Sequence, residues 1–567
     1  MPLLKRRHRS WRGFADSLPL ASRDDERPKK MKSHSQSSPM AKSILAVGAL
    51  ALLFAFPMLK KVSDTSIGKT LFVSSGIHTT SSYDAVIVGA GWSGIKAAET
   101  LLKGGVNNIL VLEAHDYIGG RSKSVNLDNS INNPSMHGNF TNIPIDLGSE
   151  WLNQDTILSR TLINGGHLKG IDTDRVAHFI PFFDSSFYLQ TFVEEKDENN
   201  VPATTKTEQM EDDIVKDLFG RVWGGFEEYT EGLKKKDDGD ESYWSAAKKY
   251  KEEKLTSSDV DAQFIDLAMA ATEVDYTGGS NELSAFGDTI SDDNDAMHYM
   301  SVPGVGYGNT AANFAANERV ADRVHLNSKV TEIDYRHNPN GATITFTKNG
   351  VESKVMAKTV LVTVSVGVLK AGNIKFTPSL PDWKQEVIDG IGFGLLNKCV
   401  MQWNDPDAAV WPVTTKEWFE LITPKGHNSG KWTSFFNPTS YKGVPMLVGW
   451  AAAENARYME TQTDEEVLAD VMTKLKAMFP TITTPDRYII SRWGSDENVL
   501  GTYSFKKVGR DSFSDDAEQL RKPVKNVWFA GEATFSGWYG TVNGAYASGE
   551  RAAEEMLEVL SAIAVVY

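Results

Sequence analysis

The sequence contains a single cysteine, Cys399, among its 567 residues. One cysteine cannot form an intramolecular disulfide, and it cannot supply the several thiolates of a cysteine-rich metal site. The chain is therefore neither a disulfide-stapled scaffold nor a zinc-ribbon type of protein, and we expect no metal at its functional site. With 41% hydrophobic residues, the chain can bury a large core, and its length favours two interleaved domains.

The chain also lacks an excess of positive charge. Its 59 lysines and arginines are outnumbered by 74 aspartates and glutamates, which gives a formal net charge of −15. Proteins that bind nucleic acids do so through basic surfaces, so we expect no nucleic-acid partner. An acidic surface attracts polycations instead.

Apolar runs are short, and the most notable one lies near the N-terminus. Ile44 to Leu59 is an uncharged stretch of 16 residues, which falls short of the roughly 20 residues that span a bilayer comfortably. Residues 1–42 before it are polar and basic, which predicts disorder. This arrangement favours a signal peptide or a short signal anchor over a buried helix. We therefore expect the chain to enter the secretory pathway, extracellular or held by a single-pass anchor, with the remainder on the non-cytoplasmic side.

A glycine-rich turn between an apolar strand and a helix is the most informative feature. Tyr83 to Val88 is apolar and β-branched, as in a buried parallel strand, and apolar residues at helical spacing follow from Ile95. The turn between them carries Gly89, Gly91, Trp92, Ser93 and Gly94. Such glycines let the backbone approach a pyrophosphate, which the N-terminus of the following helix stabilises.

An acidic residue completes this pattern. A second apolar strand, Ile109 to Leu112, ends in Glu113, about 20 residues past the last glycine of the turn. A carboxylate at this position accepts hydrogen bonds from the ribose hydroxyls of an adenosine. The sequence therefore predicts a dinucleotide-binding βαβ unit.

Three further segments make the chain resemble the FAD-dependent amine oxidases, with polyamine oxidases the most similar. They are Gly119-Gly120-Arg121, Asp146-Leu147-Gly148-Ser149-Glu150-Trp151 and Gly531-Glu532-Ala533-Thr534. The first follows the βαβ unit as the family's GGR element does, the second is similar to its acid-x-Gly-x-x-Trp segment, and the third to its C-terminal segment. The resemblance covers roughly Tyr83 to Leu557.

This resemblance implies an α/β fold. A Rossmann-like FAD-binding domain of the amine oxidase type would be interleaved with an α+β substrate-binding domain built on a mixed sheet. Residues 1–42, 43–61 and 62–82 would be the basic N-terminus, the apolar segment and a linker. The FAD-binding domain would take residues 83–175, 296–342 and 486–567, and the substrate domain residues 176–295 and 343–485.

The resemblance also implies which residues contact FAD. They are Gly89, Gly91, Trp92, Ser93, Gly94, Glu113, Ala114, Gly120, Arg121, Gly148, Ser149, Val330, Trp493, Gly531, Glu532, Thr541 and Val542. Monoamine oxidases tether FAD through a cysteine shortly before the C-terminal Gly-Glu element. This sequence has no cysteine there, so we expect noncovalent FAD.

Lys398 is a predicted catalytic residue. It interrupts the apolar stretch from Phe393 to Val400, where a buried ammonium is costly; a lysine that points outward from an edge strand is the alternative. In the family, a lysine here holds a water against flavin N5. Trp538 and Tyr539 are predicted to form an aromatic wall that guides a neutral amine, with core packing as the alternative.

Trp151 and Asn153 are the predicted substrate contacts. Several polyamine oxidases carry Glu or His where this sequence has Asn153. Asparagine can hydrogen-bond an ammonium but cannot neutralise it. The departure leaves the amine oxidase class in place and weakens the expectation of polyamine specificity.

The implied reaction is amine oxidation. A neutral amine gives a hydride to FAD, O2 reoxidises the flavin and forms H2O2, and the imine hydrolyses to an aldehyde and an amine. A monoamine or an amino acid is the alternative substrate, although the Gly-Pro-Met-Arg run of many L-amino-acid oxidases is absent after Leu147. A flavin-binding interaction protein of the histone-demethylase type is the second alternative, but that branch carries a helical N-terminal module and a coiled-coil insertion.

Overall fold

The computed structural model describes residues 81–126, 143–153, 156–165, 185–192, 205–236, 239–255, 259–286, 299–301, 306–336, 341–412, 415–424 and 431–566. All of these residues belong to one compact unit. The predictions for residues 1–42 and for Ile44 to Leu59 lie outside these ranges. Within them, no helix combines the length and the apolar composition needed to cross a bilayer.

Short strands alternate with helices along the chain. In chain order the strands are β1 (Ser82–Val88), β2 (Ile109–Leu112), β3 (Ser124–Asn126), β4 (Pro144–Asp146), β5 (Trp151–Asn153), β6 (Ser185–Phe192), β7 (Thr205–Gln209), β8 (Tyr299–Ser301), β9 (Val324–His325), β10 (Ser328–Asp334), β11 (Ala342–Lys348), β12 (Val351–Val362), β13 (Lys375–Thr377), β14 (Gly392–Phe393), β15 (Leu396–Gln402), β16 (Trp418–Ile422), β17 (Ser434–Phe436), β18 (Met446–Ala452), β19 (Arg487–Ile490), β20 (Ser504–Phe505) and β21 (Val527–Phe529).

The α-helices are α1 (Trp92–Lys103), α2 (Ile157–Asn164), α3 (Asp212–Asp217), α4 (Gly224–Lys236), α5 (Tyr243–Lys254), α6 (Asp259–Tyr276), α7 (Tyr307–Asn317), α8 (Val366–Lys370), α9 (Asp382–Gly390), α10 (Thr439–Lys442), α11 (Ala453–Met459), α12 (Asp464–Met478), α13 (Phe513–Arg521) and α14 (Val542–Val566). A π-helical turn, Leu218–Trp223, joins α3 to α4, and 3-10 turns lie at Ala321–Arg323, Pro406–Ala408, Glu532–Thr534 and Ser536–Trp538.

The first sheet has the strand order β13-β10-β11-β12-β1-β2-β9, with β21 also paired to β12. Strand β1 pairs in parallel with both β2 and β12. Its inner residues are buried on both faces. Ala85 and Ile87 pack with residues of α1 and α14, whereas Val86 and Val88 pack with residues of β10, β11 and β12. A parallel strand covered on both faces is apolar throughout, which is the pattern that the sequence shows at this point.

The first sheet extends beyond the predicted domain limit. The sequence-based boundary assigns residues from 343 onward to the substrate domain, yet β11, β12 and β13 belong to the first sheet. Val86 pairs with Val360 and Val88 with Val362, so the end of β12 lies beside the nucleotide-binding strand. The composition of a strand does not reveal which other strand it pairs with. The predicted start of the substrate domain at residue 343 therefore comes before the first sheet is complete. The other domain limits stay predictions.

The second sheet has the strand order β19-β15-β18-β17-β16-β6-β7. Most of its pairs are antiparallel, and β16 and β6 run parallel. Strands β15, β16 and β18 are buried at every position. Helix α12 covers part of this sheet through Val467, Val471 and Leu475, and a capping box between Thr463 and Glu466 begins it.

Candidate active site

A cavity of about 440 Å³ is lined by residues from both sheets. At one end its wall contains Val88 and Leu112, the last residues of the parallel strands β1 and β2. At the other end it contains residues of β15, β16 and β18 from the second sheet. Ligands of α/β proteins bind at the carboxyl ends of parallel strands, so the cavity lies where the sequence predicts the dinucleotide site.

Glu113 stands at the β2 end of this cavity and is only 5% exposed. Its carboxylate accepts hydrogen bonds from the backbone N–H groups of Ala90, at 2.6 Å, and His115, at 2.8 Å. A carboxylate has about four acceptor positions, so further bonds to ribose hydroxyls are available. Ala114 and Val330, both predicted FAD contacts, line the same region.

The His115 imidazole lies between two carboxylates in this region. Its Nε2 is 2.9 Å from Asp496, and its Nδ1 is 3.2 Å from Glu113. Burial lowers the pKa of His115, but the hydrogen bonds to Asp496 and Glu113 outweigh burial and raise this pKa to about 9. At neutral pH the nucleotide end therefore holds one cation between the two acids, which offsets one of their two negative charges.

The glycine turn leaves room for a ligand at one position and not at another. A Cβ added to Gly91 would meet no protein atom closer than 3.9 Å, because the cavity lies beside it. A Cβ on Gly94 would lie 2.0 Å from the Gly89 carbonyl oxygen. Gly94 packs α1 closely against the turn and is not among the described residues of the cavity wall, and its FAD contact stays a prediction. Gly89, Trp92 and Ser93 line the cavity.

The GGR element and the C-terminal Gly-Glu element meet through an ion pair. The Arg121 guanidinium lies 2.9 Å from the Glu532 carboxylate, which also accepts a hydrogen bond from Gly540 N–H at 2.8 Å. Glu532 is 4% exposed, and Gly120 and Gly531 line the adjoining wall. Two segments that are 411 residues apart thus form one part of the cavity.

Helix α14 begins at the cavity. Thr541 and Val542 line the wall, and the Thr541 hydroxyl accepts a hydrogen bond from Gly544 N–H at 3.1 Å. The N-terminus of a helix carries partial positive charge, which stabilises an adjacent negative charge. This end of the cavity is therefore suited to a ligand edge that becomes negative on reduction.

Lys398 is buried in β15, which lies between β19 and β18 and is not an edge strand. Its Nζ donates three hydrogen bonds of 2.9 Å, to the carbonyl oxygens of Asp146 and Gly148 and to the Glu150 carboxylate. An ammonium has three protons, and all three are used by these acceptors. The predicted water-holding role would require one of these bonds to be given up, and that role stays a prediction.

Other predicted residues surround this lysine. Gly148, Ser149 and Trp493 line the cavity, and the Trp493 indole donates to the Leu147 carbonyl at 3.0 Å. This bond holds the indole against the segment that carries Gly148. The prediction for Trp493 rests on the resemblance alone, since an isolated aromatic residue is usually a core residue.

Tyr539, one of the two residues of the predicted aromatic wall, lines the cavity and stacks on Phe513 with ring centroids 4.0 Å apart. Trp538 is not among the described lining residues, and its place in the wall stays a prediction. Trp538 belongs to a 3-10 turn, and its carbonyl oxygen accepts a hydrogen bond from the Thr541 hydroxyl at 2.7 Å. Neighbouring residues of such a turn point in different directions.

Trp151 and Asn153 are the two predicted substrate contacts. Trp151 lines the cavity, and its ring packs edge-on against Phe436 at 4.9 Å. Asn153 is described by its backbone alone, paired with Tyr299 between β5 and β8, and its side chain lies outside the described part of the chain.

The second sheet forms a part of the wall that was not predicted from the sequence. This part contains Trp418, Glu420, Ser434 and Trp450. One signal for it was available, because Glu420 interrupts an apolar strand just as Lys398 does. Burial raises the pKa of Glu420 to about 8, even though the Ser434 hydroxyl donates to its carboxylate at 2.6 Å.

The described residues fit FAD. The cavity has acceptors for ribose at Glu113, open space beside Gly91 for a pyrophosphate, and a helix N-terminus at Thr541. All these positions line one continuous cavity whose volume is typical of cofactor sites. FAD could therefore be held at this cavity by Glu113, the backbone beside Gly91 and the helix N-terminus at Thr541.

Comparisons with known proteins agree with this geometry. The family model of flavin-containing amine oxidoreductases matches residues 92–557. Polyamine oxidase 2 of Arabidopsis thaliana is 29% identical over 512 residues, which is 88% of this chain and 92% of that protein. Polyamine oxidase 1 of Zea mays is 30% identical over 490 residues, with 83% and 90% covered.

Solved structures show the same fold. Putrescine oxidase bound to putrescine superposes with a TM-score of 0.60 at 18% identity, covering 84% of this chain and 99% of that protein. The predicted α/β fold and the predicted family are confirmed, and the enzyme is an FAD-dependent amine oxidase. The chain belongs to the flavin-containing amine oxidoreductase family.

Proposed function

We propose that this enzyme oxidises polyamines. The observation that carries the proposal is the composition of the second-sheet wall, where the carboxylate of Glu420 lies among the rings of Trp418 and Trp450. Carboxylates pair with ammonium groups, and tryptophan faces attract cations. The relatives named polyamine oxidases from Arabidopsis thaliana and Zea mays support the same substrate class.

Bound FAD supplies the redox chemistry, namely acceptance of a hydride from the α-carbon of a neutral amine and reoxidation by O2 to give H2O2. The protein contributes orientation and electrostatics. Glu113 and the Arg121–Glu532 pair would bind FAD. Lys398 fixes the position of the segment that contains Gly148 and Glu150 through hydrogen bonds. The aromatic side chains exclude water from the amine that reacts.

A peroxide-release screen tests this function. Spermine, spermidine and their acetylated forms should release H2O2, whereas monoamines and amino acids should do so at least about tenfold more slowly, a difference of roughly 1.4 kcal/mol in barrier. A higher rate with a monoamine or an amino acid would assign the enzyme to one of those substrate classes.

We also propose that FAD is bound noncovalently. Cys399 is completely buried in β15, and it is not among the described residues of the cavity wall. Successive residues of a strand point to opposite faces, so Cys399 faces away from the cavity that Lys398 enters. Acid precipitation should release yellow flavin into the supernatant, and flavin retained in the pellet would refute this.

The apolar run supports a proposal about location. We propose that Ile44 to Leu59 directs the chain into the secretory pathway, or anchors it in a membrane, with the catalytic domain on the non-cytoplasmic side. A variant without residues 1–65 should stay in the cytosol and still bind flavin. Full-length protein that is free in the cytosol with an intact N-terminus would contradict the proposal.

A further inference from the structure

Glu420 is a buried carboxyl group with no cation beside it in the described part of the chain. It is 3% exposed, and the Ser434 hydroxyl is its hydrogen-bond donor at 2.6 Å. No lysine, arginine or histidine forms an ion pair with it in the part of the chain that the structure describes. Burial of an unpaired carboxylate is costly, so this group keeps its proton in the empty site near neutral pH, and a ligand cation at the cavity wall would supply the charge that stabilises the ionised form.

Strand pairing places Glu420 on the same sheet face as Lys398. Lys398 pairs with Trp450 between β15 and β18, and Glu420 pairs with Ser434 between β16 and β17. Because Phe435 pairs with Gly449, the next step of that antiparallel ladder brings Ser434 beside Trp450. These residues form one row across the sheet, and the row lines the cavity.

The length of this row is the distance between Lys398 at one end and Glu420 at the other. Lys398 and Glu420 are three strand spacings apart, which is about 14 Å between their backbones. The Trp450 ring belongs to this row, and the Trp418 ring stands two residues from Glu420 on the same face. The two ring centroids are 5.7 Å apart, and Lys398 Nζ is 5.1 Å from the centroid of the Trp450 ring. An extended chain with nitrogens at intervals fits such a row, since aromatic faces cover its methylenes and the acid pairs with one nitrogen.

We propose that Glu420 binds a non-reacting nitrogen of the substrate as an ammonium ion and thereby selects polyamines over amines that lack this nitrogen. The inference rests on the proposed function and adds the residue that recognises the substrate class. Asp275, an exposed residue of the same wall, adds a negative charge near Glu420. Lys398 is already paired with Glu150, so Glu420 is the buried acid available to a substrate.

The test combines a protein change with a substrate change. Glu420→Gln keeps the shape of the side chain and removes the charge, and Glu208→Gln removes an exposed charge from β7 of the same sheet as a matched control. Each holoenzyme is assayed for peroxide release with spermidine and with the analogues of spermidine in which one terminal amine is replaced by hydrogen.

For the wild type and Glu208→Gln, one analogue should have a kcat/KM at least about tenfold below that of spermidine. In Glu420→Gln this difference should shrink at least tenfold, through a raised KM for spermidine and a kcat within about threefold of wild type. If the wild type oxidises spermidine and Glu420→Gln shows the same difference in kcat/KM between spermidine and the analogue, the role of Glu420 is overturned. The proposed function is not affected by that result. A wild type that oxidises neither spermidine nor spermine would overturn the proposed function, and this inference with it.

Folding of the variants is checked by flavin absorbance and thermal melting. If Glu420→Gln does not retain flavin, Glu420→Leu serves as the second variant, because leucine needs no hydrogen-bond partner in the buried strand. The same loss of discrimination is expected from it, and retained discrimination would contradict the proposal.

Discussion

The Lys398 ammonium lies 2.9 Å from a carboxylate oxygen of Glu150, and neither side chain is more than 6% exposed. The two residues come from different segments, β15 and the loop before β5, and they join the second sheet to the cavity-lining segment around Gly148. Removal of either partner leaves a buried charge without its counter-ion. The ion pair therefore stabilises the fold, and both of its residues line the cavity.

Lys398→Met is expected to destabilise the protein by about 3 to 5 kcal/mol, because Glu150 would stay buried without a partner. The double variant Lys398→Met/Glu150→Gln should regain most of this loss, since it removes both charges. Thermal melting of the four proteins of this cycle measures the effect. Equal losses in the single and the double variant would show that the ion pair does not account for the stability.

The same double variant tests the predicted catalytic role of Lys398. Compared with Glu150→Gln alone, it should bind FAD normally but slow either flavin reduction by amine or reoxidation by O2 at least about tenfold, equivalent to roughly 1.4 kcal/mol of barrier. Stopped-flow absorbance separates the two half-reactions. If both rates match those of Glu150→Gln, Lys398 is a structural lysine.

Glu113→Ala is expected to weaken FAD binding by roughly 1.5–3 kcal/mol, the value of a good hydrogen bond to a charged acceptor. The same change leaves the N–H groups of Ala90 and His115 without their acceptor, so the turn itself should loosen. The dissociation constant of FAD, titrated into the apoprotein, measures the effect. Glu352→Ala, on the exposed part of β12, is the control and should change nothing. An unchanged constant for Glu113→Ala would exclude it as a ribose ligand.

Glu420 should make stability depend on pH. Its pKa is about 8 in the folded protein against an ordinary value of 4.5, so the folded state holds one more proton than the unfolded state between these values. Unfolding releases that proton, and its contribution to stability falls as pH rises from about 4.5 to 8. The loss is on the order of 5 kcal/mol when complete.

Glu420→Gln has no proton to lose. Its melting temperature relative to wild type should therefore be higher at pH 8 than at pH 5, in the absence of amine. A difference between the two proteins that is the same at both pH values would show that Glu420 does not titrate in this range.

The parts of the candidate site that could be predicted from the sequence depend on local signals. The glycine turn and Glu113 are separated by one helix, and Lys398 stands out because a charge interrupts an apolar strand. Glu420 interrupts β16 in the same way, but it lies in none of the motifs that carry the resemblance to the family. What could not be predicted depends on pairing between distant strands. The membership of β12 in the first sheet and the row from Lys398 to Glu420 exist only through hydrogen bonds between segments far apart in the chain.

The most direct test of the central claim is anaerobic mixing of the purified holoenzyme with spermine or spermidine while flavin absorbance is followed. The acidic and aromatic wall of the cavity leads us to expect bleaching of the flavin by either polyamine, and return of the colour with release of H2O2 when air is admitted. Flavin that stays oxidised with every polyamine, but is bleached by a monoamine or an amino acid, would contradict polyamine oxidation as the function of this enzyme.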